Sequence, residues 1–70
     1  MVNVEAPMPG VVLRYEVKEG ASVSEGDVVM VMEAMKMENE ITAPASGVVK
    51  QLNFKAGDRF EEGDVLATIE

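Results

Sequence analysis

The sequence predicts an all-β domain that closes on itself, a small sandwich or barrel made of two similar halves. Three observations carry this. Shifted by 37 residues, the chain matches itself without a gap, and 12 of the 28 aligned positions in 6–33 and 43–70 are identical. Each half consists of short runs that mix branched and aromatic residues with polar ones, as half-buried strands do. Turn-forming Pro, Gly and Gly-Asp pairs separate these runs at roughly 8–12-residue intervals, the spacing of small sandwiches and barrels.

The elements follow in chain order. A lead-in strand passes through Val4, and its counterpart in the second copy begins at Ile41. Pro7, Pro9 and Gly10 open the first copy; Pro44 and Gly47 open the second. Residues 11–17 and 48–54 then read as strands, as do 28–33 and 65–70. Gly20, Gly26-Asp27, Gly57-Asp58 and Gly63-Asp64 mark the corners between them, with structural roles expected for all the glycines. Two copies are too few for a solenoid, which needs about three repeats, so the halves must cover each other around a two-fold axis. The whole of residues 1–70 is expected to be one domain.

Composition narrows the function. Hydrophobic residues make up 47% of the chain, enough for a folded core, and a chain of 70 residues holds one small domain. A formal net charge of -7 argues against nucleic acid and anionic lipid, both of which need clustered Lys and Arg. No run is long and apolar enough to insert in a membrane. The N-terminal residues lack the basic and apolar regions of a secretory signal. The absence of cysteine fits a cytoplasmic location. Without His or Cys, histidine-based nucleophilic catalysis and thiolate or histidine metal sites are excluded, and the carboxylates show no calcium-loop spacing. No catalytic residue is therefore predicted.

One segment conflicts with the β reading. Residues 33–40, EAMKMENE, are good helix formers. The repeat argues otherwise, because residues 34–38 connect the two copies and isolated helices shorter than about 12 residues are marginal. A hairpin with a two-residue turn at Met35-Lys36 is predicted. Ala34 then faces Met37, Glu33 faces Glu38, Met32 faces Asn39 and Met30 faces Ile41. Alternation puts Val28, Met30, Met32, Ala34, Met37, Asn39 and Ile41 toward the core and Val29, Val31, Glu33, Glu38, Glu40 and Thr42 outward.

This hairpin breaks two local rules. Two-residue turns favour Asn-Gly or Asp-Gly, because both central residues need positive φ. Glu33 and Glu38 are like charges on facing positions, which is mildly destabilising. Such departures tend to fall at functional sites, although on the residues alone an ordinary hairpin with a solvated lysine at its tip is the favoured reading. The chemistry suited to the place is acylation of Lys36. A protruding lysine can enter another enzyme's pocket, where the amine is deprotonated and meets an activated acyl group.

Glu33-Ala34-Met35-Lys36-Met37-Glu38 resembles the attachment motif of biotin carboxyl carrier domains. The likeness continues through Ala6-Pro7-Met8-Pro9-Gly10, Glu38-Asn39-Glu40-Ile41, Ala43-Pro44, Gly47 and Glu62-Gly63-Asp64. The resemblance implies a flattened β-barrel of two four-stranded antiparallel sheets with quasi-two-fold symmetry. It implies biotin joined to the Lys36 amine by a biotin protein ligase. A biotin carboxylase, using ATP and bicarbonate, would then load a carboxyl group that the arm carries to or from a carboxyltransferase. Met35 and Met37 would help define the acceptor for these partners, Ala34 would stay small beside the turn, and Glu33 and Glu38 would meet basic groups on a partner.

The ungapped repeat leaves no room for the extra thumb of some family members. The chain is thus more similar to the thumbless carriers of pyruvate carboxylase, propionyl-CoA carboxylase, transcarboxylase and the decarboxylase pumps. A lipoyl carrier uses the same barrel, but its lysine usually follows Asp and precedes Ala. A barrel used only as an adaptor needs no Ala-Met-Lys-Met at the junction.

Overall fold

The computed structural model describes residues 1–70. Eight strands follow one another: β1 (Val2–Glu5), β2 (Gly10–Tyr15), β3 (Ser22–Val23), β4 (Val28–Ala34), β5 (Met37–Thr42), β6 (Gly47–Leu52), β7 (Arg59–Phe60) and β8 (Val65–Ile69). They form two four-stranded sheets in the orders β1-β8-β6-β3 and β5-β4-β2-β7, and every pairing is antiparallel. Shifting the first order by 37 residues turns it into the second, so the sequence repeat is the two-fold of the fold.

Each sheet draws strands from both copies, and the corners tie the copies together. The Gly63 amide donates to the Ala6 carbonyl at 2.8 Å, and the Gly26 amide donates to the Ala43 carbonyl at 2.9 Å. Ala6 and Ala43 donate back to Asp64 and Asp27 at 2.9 and 2.8 Å. Inside these turns the Asp27 carboxylate accepts from the Ser24 amide and the Asp64 carboxylate from the Glu61 amide, both at 2.8 Å. The acidic side chain thus closes its own turn, the local reason for Gly-Asp at both places.

The core repeats the same two-fold. Of 15 clustered buried residues, all but Ala34 fall into seven pairs 37 residues apart, among them Val12 with Val49, Val29 with Leu66 and Met32 with Ile69. Burying a side chain of this size stabilises the fold by about 1.5–3 kcal/mol. Met30, Met32, Leu66 and Ile69 are the largest fully buried side chains. Gly10 and Gly47 allow strands to approach closely. A Cβ on Gly10 would lie 2.7 Å from the Glu33 carbonyl oxygen, and one on Gly47 would lie 2.6 Å from that of Glu70.

Four expectations need correction. The strands predicted over 11–17 and 48–54 end earlier, at Tyr15 and Leu52, although Val17 and Phe54 still pack on the core. Val29, expected outward, is fully buried. The β4–β5 register shifts between Val28 and Met30, so Val29 has no partner on β5 and turns inward beside Met30. Val31, also expected outward, is only 4% exposed. It sits on a central strand, directly flanked by Arg14 of β2 and Glu40 of β5. Met37, expected toward the core, is 65% exposed, because the inward side of edge strand β5 lies past the core at the hairpin's end.

Candidate functional site

The β4–β5 hairpin has the register read from the sequence. Ala34 pairs with Met37, Glu33 with Glu38, Met32 with Asn39 and Met30 with Ile41. Met35 and Lys36 form the two-residue turn, with φ of 54° and 63°, and they are the only non-glycine residues with positive φ. Both values suit a type I′ turn, which matches the twist of the flanking strands. Without glycine or asparagine, such a conformation costs roughly 1–2 kcal/mol per residue. The long β4–β5 ladder and the buried Met30, Met32 and Ile41 hold the strained turn in place.

Lys36 is exposed at the tip and enters neither of the protein's two ion pairs, Arg14–Glu16 and Lys50–Glu70. No hydrogen bond engages its amine. Met35 is 89% exposed, so the lysine stands between two bare thioether side chains. Ala34, immediately before them, is 6% exposed and belongs to the core cluster. Glu33 and Glu38 are exposed neighbours on the outward face. All six predicted site residues therefore lie at one end of the hairpin, with Ala34 as the buried footing and the others accessible.

The sequence reading missed the surroundings of the turn. A shallow groove of about 340 Å³ runs from Glu33 and Lys36 to Arg59 and Phe60 of β7, over Gly10 of β2. Val11 pairs with Glu33 on one side and with Arg59 on the other, which brings Arg59 to the Lys36 end of the hairpin. Only the long-range β2–β7 pairing could have revealed this, and a two-residue strand carries almost no periodic signal.

An amine that is exposed, unpaired and carried on a two-residue turn fits attachment of an acyl arm by an external enzyme. No group of His, Cys, Asp or Glu is arranged to hold a metal. No helix is long and apolar enough to cross a membrane.

Comparison with known proteins agrees with this geometry. Residues 2–69 match the family model described as "Biotin-requiring enzyme". The chain is 58% identical over 40 residues to glutaconyl-CoA decarboxylase subunit gamma of Acidaminococcus fermentans, covering 57% of this chain and 28% of that protein. It is 54% identical over 39 residues to the biotin carboxyl carrier protein of Streptococcus mutans, covering 56% and 30%. The chain therefore spans less than a third of the length of these relatives. Among solved structures, it superposes on the urea carboxylase of Kluyveromyces lactis with a TM-score of 0.94 and 33% identity, over 99% of this chain and 6% of that one. On the family match across almost its full length, the chain belongs to the biotin-requiring enzymes, as a non-catalytic carrier domain whose cofactor is biotin.

Proposed function

We propose that residues 1–70 form one carboxyl carrier domain in which Lys36 is the biotin acceptor. The observation that carries this is the position of Lys36 in a two-residue turn, exposed, without an ion pair and between exposed Met35 and Met37. Biotin, when joined there, supplies a ureido nitrogen that takes up and releases a carboxyl group. The chain's own residues root, present and orient the arm. The type I′ turn places the exposed lysine at the hairpin tip, so a ligase can reach the amine without unfolding the hairpin. Acylation removes the lysine charge and leaves a long flexible arm on a fixed base.

The flanking residues divide the remaining work. Met35 and Met37 offer adaptable apolar contacts to whatever docks over the lysine. Glu33 and Glu38 meet basic groups on the same partners. Ala34 stays small so that the turn sits close above the core. The partners are a biotin protein ligase, a biotin carboxylase and a carboxyltransferase, and the cysteine-free composition fits a cytoplasmic site of action.

The test is intact-mass analysis of the chain and of Lys36→Ala and Lys36→Arg after incubation with biotin protein ligase, ATP and biotin. One biotinyl addition is expected on the native chain and none on either variant, with all three folded by NMR. Addition to the variants at the native rate, or none to the folded native chain, would overturn the assignment.

A further inference from the structure

Five of the six methionines are either fully buried or widely exposed, and Met8 is half-buried against the core. Met30 and Met32 are fully buried, whereas Met35 and Met37 are 89% and 65% exposed on either side of Lys36. Met1, at 79%, is the other open thioether. A methionine on a regular hairpin face is expected to be mostly covered, yet both of these are mostly exposed. They stand beside the amine that a partner must envelop.

We propose that Met35 and Met37 are a reversible oxidation site that switches partner docking at the Lys36 turn. This rests on the carrier reading, because the partner that senses the change is the one that docks over Lys36. The oxidant is a peroxide. The thioether sulfur attacks one oxygen of hydrogen peroxide, an S–O bond forms as the O–O bond breaks, and proton transfer leaves water. Sulfur loses two electrons and the peroxide gains them. The product, methionine sulfoxide, is polar and chiral, and methionine sulfoxide reductases return it to the thioether.

The consequence follows from what the turn offers a partner. With Lys36 extended between them, the two thioethers are the apolar part of the contact surface, flanked by Glu33 and Glu38. A sulfoxide oxygen buried without a donor weakens such a contact by about tenfold or more. Met30 and Met32, sealed in the core, are protected until the fold opens, so mild oxidation changes the turn and spares the barrel.

The test uses the native chain before biotin is attached, since biotin carries a thioether of its own. The chain is treated with graded hydrogen peroxide, and each methionine is followed by peptide mapping. The kcat/KM of biotin protein ligase for the chain is then measured. Met35 and Met37 are expected to gain oxygen at least tenfold faster than Met30 and Met32, and kcat/KM to fall about tenfold and recover after treatment with sulfoxide reductases. The oxidised-to-untreated ratio should stay low in a Met1→Leu, Met8→Leu variant. It should return to about one in a Met35→Leu, Met37→Leu variant, whatever that variant's own rate. A native chain biotinylated equally well before and after oxidation would overturn the switch alone. An untreated chain that takes no biotin would overturn the carrier reading and the switch with it.

Discussion

Met35 and Lys36 hold φ of 54° and 63° where glycine or asparagine would be relaxed, so the proposed acceptor itself strains the turn it occupies. This gives a prediction at the scale of one residue. Lys36→Gly should raise stability by about 0.5–1 kcal/mol, the strain released less the added entropy of the unfolded chain, while removing the acceptor. Urea unfolding at constant m would show it as a higher midpoint. The facing like charges give another. Glu38→Lys opposite Glu33 should stabilise the hairpin by roughly 0.2–1 kcal/mol, and added salt should erase the gain. The turn was legible at this scale because turn chemistry is local: Met-Lys where Asn-Gly is expected stands out in any hairpin. The exposure of Met37 was not legible. Alternation names a face of a strand but does not say how far the core extends beneath it.

At the scale of elements, the register of β4 against β5 was legible because the repeat fixed where one copy ends and the next begins. The departures came from contacts that no single strand encodes. Val29 turned inward at a shift of register, and Val31 is buried between the neighbouring strands, opposite Arg14 and Glu40. The proximity of Arg59 to the Lys36 end of the hairpin likewise depends on the β2–β7 pairing. Gly10 links these elements, since a Cβ there would meet the Glu33 carbonyl at 2.7 Å and Phe60 at 3.2 Å. Gly10→Ala should therefore cost about 1–3 kcal/mol. It should also shift amide resonances of Glu33 and the turn, while those of β1 and β8 stay in place. Unchanged resonances at Glu33 would mean that the added methyl group is absorbed elsewhere.

At the scale of the whole molecule, the two halves exchange strands and turns so completely that neither has a core of its own, which the gapless repeat had already implied. One bond between the sheets carries a pH signature. The Tyr15 hydroxyl on β2 donates to the Leu66 carbonyl on β8 at 2.8 Å. Burial, reinforced by the negative Asp58 and partly opposed by a hydrogen bond with the Phe54 backbone, holds its pKa above the usual tyrosine value. Folding therefore favours the neutral phenol. That contribution is fully present below the unfolded tyrosine pKa near ~10 and is lost as pH rises through the higher folded value. Tyr15→Phe should cost about 1 kcal/mol at neutral pH and flatten the alkaline limb of the stability profile, read by urea unfolding across pH 8–12. At the tip of the β4–β5 hairpin, one lysine among four is the proposed acceptor. The most direct measurement is tandem mass spectrometry of the native chain after biotin protein ligase treatment, mapping biotin across Lys18, Lys36, Lys50 and Lys55. Modification confined to Lys36 is the predicted result; biotin on any other lysine at a comparable level would contradict the account.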